Sequence, residues 1–206
     1  MKLKVEDLDD PSRFRHLFTL SYSEIVPFVV DYIRRRSAVT LFFWAATLTF
    51  LGIAIVIRIN IAGYFELKRI FLHTLLGTII FPVAVIPVHE LLHALPFLLS
   101  GAKKIRAGMD LKQFIFFITV HRTVITPGTF KTVALVPFAV SVITIPVLIF
   151  LLPGIWKWSL SLLLFVHSTM CAGDFAMLNY YYLNRHRKIF SWDDADRREA
   201  YFFEEL

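Results

Sequence analysis

Four long apolar stretches constrain the fold of this chain more than any other feature of its sequence. They cover about residues 38–57, 70–99, 131–152 and 156–183. A helix needs about 20 apolar residues to cross the hydrocarbon core of a bilayer. Hydrophobic residues make up 57% of the 206 residues, above the roughly 45–50% that is typical of soluble domains. The sequence therefore predicts one all-α integral membrane domain with about four transmembrane helices.

The segments outside these stretches have other patterns. Residues 1–37 are predicted to be cytoplasmic or interfacial, with an amphipathic helix over 21–36. Residues 105–128, between the second and third stretches, are too short and polar to cross a bilayer twice, and "FIFFITV" at 114–120 is typical of a strand. This pattern predicts a short β-hairpin-like insert at the cytoplasmic face. Residues 184–206 are predicted to be a cytoplasmic tail that ends in a short amphipathic segment.

Basic residues beside the apolar stretches indicate how the chain is oriented. If there are four spans, three groups share one side: Arg34–Arg36, Lys103 to Arg106, and Arg185 to Lys188. The positive-inside rule makes that side cytoplasmic and places both termini there in a multi-pass protein of the cell membrane. The basic loop around Arg58–Arg69 does not follow this pattern. The net charge of +6 is then explained by contact with anionic lipid head groups, and nucleic acid is not expected as a partner.

The second stretch contains the sequence His89-Glu90-x-x-His93. Residues four apart lie on one face of a helix, so the two imidazoles are placed to hold one zinc ion. The glutamate between them is then placed to act as general base on a zinc-bound water. Ionisable side chains inside apolar spans are rare and usually functional. The alternative is a polar patch that hydrogen-bonds to neighbouring helices or reaches the interface.

The fourth stretch offers His167 and Asp174 as a third ligand, since catalytic zinc usually takes three from the protein. At 1.5 Å per residue, the two motif histidines lie roughly 28–35 Å from the outer end of their span. Asp174 lies roughly 27 Å and His167 roughly 16 Å from the outer end of theirs. Depth therefore favours Asp174. His167 is left as an outer partner of a ligand, an oxyanion stabiliser or a core histidine.

These residues resemble those of intramembrane zinc metalloproteases of the site-2 protease type. The chain is more closely similar to small bacterial four-span proteins described as zincin peptidases, in which "HELLHALPF" precedes a polar strand-like insert and a last span with a "GD" element. The resemblance covers roughly residues 70–180. It implies one zinc per chain, held by His89, His93 and Asp174, with Glu90 as general base. The site-2 protease pattern N-x-x-P…L-D-G is replaced here by "CAGDFAMLN", and a PDZ-like segment is not present, so the resemblance assigns no oxyanion-stabilising asparagine.

The insert has a possible role in presenting a substrate. Proteases generally bind extended peptides, and an exposed strand edge can pair with one. Alternate positions of the strand, namely Phe114, Phe116, Ile118 and Val120, are therefore candidates for contact with an unwound substrate helix. The alternative is an amphipathic hairpin that rests on lipid head groups.

The favoured interpretation is a zinc-dependent endopeptidase in the membrane that cleaves membrane proteins or peptides near the cytoplasmic interface. Two other interpretations stay open. One is a membrane metalloprotein without proteolytic activity, such as a scaffold or a transporter accessory. The other is a small transporter in which His167 and Asp174 relay protons or ions. The sequence predicts neither the oligomeric state nor the cleaved bond.

Overall fold

A computed structural model describes residues 3–102, 104–110 and 115–206. In chain order the elements are β1 (Phe14–Ser21), α1 (Ile25–Arg34), α2 (Ala38–Asn60), α3 (Leu67–Leu75), α4 (Phe81–Leu99), β2 (Ile105–Asp110), β3 (Ile115–Val120), α5 (Pro127–Leu151), α6 (Trp156–Met170), α7 (Ala172–Leu183), β4 (Ile189–Asp194) and β5 (Glu199–Glu205). Two short 3₁₀ helices lie at Val5–Asp9 and Tyr22–Glu24, and a π-helical turn at Leu76–Ile80 joins α3 to α4.

All four apolar stretches are helical, as predicted. Within the described part of the chain, three helices are long and apolar enough to cross a membrane: α2, the continuous 33-residue segment Leu67–Leu99, and α5. The pair α6 and α7 meets the same criteria as a fourth segment, although the two helices are bent by 42°. Between 22% and 33% of the most apolar part of each long helix is buried. Most of their apolar side chains therefore face outward, as expected for helices surrounded by lipid.

The first and third long helices begin at side-chain caps. Ser37 Oγ accepts hydrogen bonds from the backbone N–H groups of Val39 (3.0 Å) and Thr40 (3.2 Å), and the Ser37 N–H donates to Thr40 Oγ1. This reciprocal pair is a capping box, and it satisfies donors that a helix start leaves unpaired. Thr126 caps α5 in a similar way, immediately before Pro127. The starts of α2 and α5 are thus determined locally by the sequence.

A close contact joins α6 to the segment that carries the His-Glu-x-x-His motif. Gly77 lies in the π turn, where an added Cβ would be 2.4 Å from the carbonyl oxygen of Ser159 and 2.8 Å from Leu162 Cβ. Only glycine fits this approach without displacement of backbone. Nearby, His73 Nδ1 and Ser159 Oγ are 2.7 Å apart. The close approach at Gly77 therefore holds the π turn against α6.

The terminal segments differ from the prediction of an all-α protein with a simple tail. β1, β5 and β4 form an antiparallel sheet in the order β1-β5-β4, in which Phe14 pairs with Glu205 and Ile189 with Glu204. The prediction was wrong for β1 because it pairs with β5 across nearly the whole chain, which a local pattern does not reveal. β4 and β5 form a local hairpin that was predicted as a simple amphipathic tail. Glu204 also bonds to Arg15 (2.6 Å) and to Arg187, which ties the two ends together.

The predicted hairpin in the insert is confirmed. β2 and β3 are antiparallel, with Arg106 opposite Thr119 and Gly108 opposite Phe117. β3 contacts α4 on one side, and its end is joined to β4 because the N–H of Arg122 donates to the Asp193 carbonyl (2.8 Å). The hairpin is therefore held between the motif helix and the terminal sheet.

Candidate metal centre

The two motif histidines project from one face of α4 into the protein interior. Both are buried, and their Nε2 atoms lie 3.2 Å apart. Asp174, near the start of α7, reaches the same point: its Oδ2 is 3.5 Å from His89 Nε2 and its Oδ1 is 3.3 Å from His93 Nε2. The structure thus brings together the three residues that the sequence predicted as ligands.

The spacing of these atoms fits a metal ion. Zinc bonds of about 2.0–2.1 Å at tetrahedral angles place neighbouring ligand atoms about 3.3–3.4 Å apart. The observed separations of 3.2–3.5 Å agree with that value. In addition, Asp174 Oδ2 is buried without a hydrogen-bond partner among the described residues. A buried carboxylate oxygen in that state is costly unless a cation satisfies it.

The other ring nitrogen of His93 determines which nitrogen faces the centre. His93 Nδ1 donates to the backbone carbonyl of Val133 on α5 (2.9 Å). Since a carbonyl only accepts, Nδ1 carries the proton and the neutral ring presents the lone pair of Nε2 to the centre. The carbonyl is free because residue 137, four positions later, is Pro137 and has no N–H to donate. Outer partners of this kind hold metal-binding histidines in orientation.

His167 lies behind His89. Its Nε2 is 3.1 Å from His89 Nδ1, its side chain is 1% exposed, and it is not part of the cavity wall. Ser141 Oγ (3.4 Å) and Cys171 Sγ (3.9 Å) complete its surroundings. This placement corresponds to an outer partner of a ligand. An oxyanion stabiliser would have to line the cavity. Counting residues from the outer ends of the spans put His167 at a different depth from the motif histidines, whereas in the structure His167 Nε2 lies 3.1 Å from His89 Nδ1.

Glu90 and the three candidate ligands line a cavity of about 530 Å³. The cavity lies between α1, α4, α7 and β3, and its wall is mainly apolar. The backbone of Ile118 on β3 hydrogen-bonds to the Glu90 carboxylate. The motif glutamate is therefore beside the metal-binding atoms. It also contacts β3, the strand that was predicted from sequence to pair with a substrate.

Among the described residues, the edge of β3 that faces the cavity is not paired with another strand at Phe116 and Ile118. The His121 N–H donates to the Lys104 carbonyl across the hairpin, so residues of the same parity, Phe117 and Thr119, point toward β2. The backbone groups of Phe116 and Ile118 point to the opposite edge, and all four residues line the cavity. Val120 does not line it: its side chain is fully buried against Phe97, Ile125 and Val133. Phe114 lies outside the described residues.

Two polar residues in the neighbourhood were not assigned a role from sequence. Asp193 on β4 lines the cavity, and Thr119 Oγ1 donates to its carboxylate. Burial raises the pKa of the Asp193 carboxyl group to about 6. Asn179, on α7, donates to the carbonyls of Tyr32 (2.7 Å) and Arg35 (2.9 Å). Asn179 therefore holds the end of α1 in place, and its amide N–H groups are already bonded and do not serve as oxyanion donors.

Gly173 precedes the candidate ligand Asp174, and α1 passes over it. A Cβ added at Gly173 would lie 4.0 Å from Val29 Cγ2, which is an ordinary contact. The glycine is therefore not required for the approach of this helix. α1 closes the cavity from above through its apolar face, which includes Val26 and Val30.

A comparison with protein families agrees with this geometry. The family model described as "Putative zincin peptidase" matches residues 82–188, just over half of the chain. The chain belongs to this zincin peptidase family. The matched region contains the motif of α4, the hairpin β2–β3 and all of α5 to α7. Membership supports a metallopeptidase and implies zinc as its metal. No curated protein matched the chain, and no solved structure did so.

Proposed function

We propose that this protein is a membrane-embedded zinc endopeptidase that hydrolyses peptide bonds of membrane proteins or peptides near the cytoplasmic interface. One observation carries the proposal: the donor atoms of His89, His93 and Asp174 converge at 3.2–3.5 Å beside Glu90, at a cavity between apolar helices. Two imidazoles, a carboxylate and an adjacent glutamate are the groups that metal-assisted peptide hydrolysis needs.

Each residue has a definite role in this proposal. The Nε2 atoms of both histidines and the carboxylate of Asp174 would hold zinc. A zinc ion bound there supplies an acidified water and polarises a peptide carbonyl. Glu90 accepts the proton of the attacking water and delivers it to the leaving amine. His167 and the Val133 carbonyl keep the two imidazoles in the orientation that zinc binding requires.

The cavity edge of β3 would bind the substrate in extended form. The outward backbone groups of Phe116 and Ile118 are available for strand pairing. In the free protein the Ile118 backbone is bonded to Glu90, so an incoming peptide would replace that contact and release the base. An apolar helix that enters the cavity would have to unwind to make these bonds, which exposes its peptide groups to the site.

Orientation of the chain in the cell membrane follows from charge and connectivity. β1 and β5 pair with each other, so the two termini lie on one side of the helices. The basic groups around Arg34–Arg36 and Arg185–Lys188 flank that side, and the positive-inside rule makes it cytoplasmic. The metal-binding residues lie near the cytoplasmic ends of α4 and the α6–α7 pair in this arrangement.

The test is metal content and cleavage measured on the same detergent-purified protein. Mass spectrometry should find about one zinc per wild-type chain and loss of zinc in both His93→Ala and Asp174→Ala. His73→Ala is a matched control, because His73 is also buried but contacts Ser159 away from the site. Glu90→Gln should keep zinc and lose cleavage of apolar peptides. If the wild type binds zinc but cleaves no peptide, and Glu90→Gln behaves like the wild type, the scaffold interpretation is favoured.

One contact pattern favours a second candidate, a proton or ion relay. His93, His89 and His167 form a continuous row with nitrogen separations of 3.2 Å and 3.1 Å. The row ends at Ser141 and Cys171 among the described residues, so it does not cross the protein. A relay would give pH-dependent flux into proteoliposomes that depends on His167 without any peptide cleavage. The endopeptidase gives cleavage without such flux.

A further inference from the structure

Asp193 is an acidic group in the cavity wall that the proposed hydrolysis does not use. It lies on β4, in the terminal sheet, whereas the candidate metal ligands lie on α4 and α7. It lines the same cavity as Glu90, His89 and Asp174. An acidic side chain placed in a mainly apolar wall is costly unless it has a function or a partner.

The partners of Asp193 do not include a cation among the residues that the structure describes. Thr119 Oγ1 donates to its Oδ2, but no described Lys, Arg or His nitrogen lies within 4.0 Å of the carboxylate. The pKa of the Asp193 carboxyl group is raised to about 6 because burial outweighs the Thr119 hydrogen bond. A cation beside it would act in the opposite direction. The carboxylate is therefore able to form an ion pair with a positively charged ligand.

The position of Asp193 relative to the metal centre follows from β3. The backbone of Ile118 contacts Glu90, and the side chain of the next residue, Thr119, contacts Asp193. Residues along an extended chain are about 3.3 Å apart. If a peptide paired with the edge of β3, its cleaved peptide bond would lie beside Glu90. One or two of its residues would then separate that bond from the carboxylate of Asp193.

The rest of the cavity wall is suited to an apolar segment. Ile86 and Met170 line it on the side of the long helices, and Val29 lines it from α1. The cavity thus has an apolar end toward the proposed membrane interior and an acidic group toward the cytoplasmic sheet. Membrane helices have the complementary pattern, because Lys and Arg flank their apolar residues on the cytoplasmic side.

We propose that Asp193 binds a Lys or Arg side chain of the substrate, one or two residues from the cleaved bond on its cytoplasmic side. The substrates are then membrane helices at the point where the apolar segment meets its flanking basic residue. This proposal rests on the proposed endopeptidase function and adds a specificity-determining residue to it. Thr119 holds the Asp193 carboxylate in place for this contact.

The experiment uses two peptides that differ only in charge. Each carries one apolar segment followed by either lysine or Nε-acetyl-lysine, and the position of that residue is moved stepwise from the end of the segment. The zinc-loaded full-length protein in detergent should cleave the best lysine peptide about tenfold to hundredfold more efficiently, in kcat/KM, than its acetylated partner. This range corresponds to a hydrogen bond with a charged group.

Asp193→Asn should remove this preference and leave cleavage of the acetylated peptide close to wild type. Asp196→Asn is the matched control: Asp196 is on the same β4–β5 hairpin with a side chain that is 78% exposed, so the preference should persist. The proposal is overturned if wild type cleaves both peptides with equal efficiency. It is also overturned if Asp193→Asn slows both peptides equally, since that is the result of a purely structural role.

A binding readout separates this inference from the endopeptidase function. The same two peptides are titrated against Glu90→Gln and against Glu90→Gln combined with Asp193→Asn. If the wild type cleaves neither peptide but the lysine peptide binds more tightly only when Asp193 is present, the endopeptidase proposal fails and the basic subsite stands. If cleavage depends on Glu90 and neither cleavage nor binding depends on Asp193, the subsite fails and the endopeptidase stands.

Discussion

Removal of His167 should weaken zinc binding without a direct effect on hydrolysis. His167 Nε2 lies 3.1 Å from His89 Nδ1, and the ring is almost fully buried. With zinc on Nε2, His89 must carry its proton on Nδ1, and in His167→Ala that N–H loses its partner in the protein interior. Without zinc, His89 can move its proton to Nε2 and avoid the penalty. The variant therefore destabilises the zinc-bound form selectively.

The size of the effect follows from the cost of that unpaired group. A buried donor without a partner costs about 1–3 kcal/mol. Loss of an outer partner typically reduces metal affinity 10–100-fold, which is about 1.4–2.7 kcal/mol at 1.4 kcal/mol per factor of ten. The two ranges agree. We therefore expect the zinc dissociation constant of His167→Ala to rise 10–100-fold. That of His167→Gln should rise less, because its amide oxygen can accept a hydrogen bond from His89 Nδ1–H.

The assay is a competition titration with a chromophoric chelator on purified protein in detergent, with peptide cleavage measured at saturating zinc. His73→Ala is the control, and its zinc dissociation constant should equal that of wild type. A change of less than twofold in His167→Ala would refute the reasoning. A loss of 100-fold or more in kcat with zinc saturated would also refute it, because that loss is typical of an oxyanion donor.

Three further predictions concern packing, the substrate strand and the terminal sheet. Gly77→Ala should destabilise the protein by about 1–3 kcal/mol, because the added Cβ would lie 2.4 Å from the Ser159 carbonyl oxygen. The measurement is the Tm in detergent, which should fall. Gly52→Ala is the control and should not lower the Tm, because a Cβ added at Gly52 would have no neighbouring atom within 4 Å. Ile118→Pro should abolish peptide cleavage and leave zinc content unchanged, since it removes an outward N–H from β3; surviving activity would exclude strand pairing there. Hydrogen bonds from two arginines lower the pKa of Glu204 from 4.5 to about 2. Its stabilisation is therefore complete above pH 4.5 and is lost as the pH falls through 2, so the Tm difference between wild type and Glu204→Gln should be largest at neutral pH and shrink below pH 4.5.

Much of the helical architecture could be predicted because its causes are local. Long apolar stretches and the strand-like insert are visible in short windows of sequence. The caps Ser37 and Thr126 are local signals too, although the apolar pattern placed the start of the third stretch at about residue 131 and the helix begins at Pro127. The His-Glu-x-x-His motif needs only the period of a helix to bring its histidines together. Asp174 was found by counting residues from the proposed outer end of its span. In two helices that cross the same membrane, residues at equal distances from the outer ends lie at the same level.

Other features could not be predicted because they depend on residues that are far apart. The terminal sheet pairs Phe14 with Glu205, and no local pattern specifies that partner. The same count separated His167 from His89, because it assumed that the two spans begin at the same depth and run parallel, which only the packing of the helices decides. Pro137 is a signal that was present in the sequence: its missing N–H frees the carbonyl that orients His93.

The sequence by itself determined which segments are helical, where two of the long helices begin, and that one of them carries a pair of imidazoles with a glutamate between them. These properties depend on hydrophobicity and on a period of 3.6 residues, which neighbouring residues set. The tertiary structure alone decided that His167 supports His89, that Ile118 contacts Glu90, and that Asp193 lies in the wall of the same cavity. The first two contacts join α4 to α6 and to β3, and Asp193 joins β4 to β3 through its bond to Thr119. Only the packing of these elements brings such distant residues together.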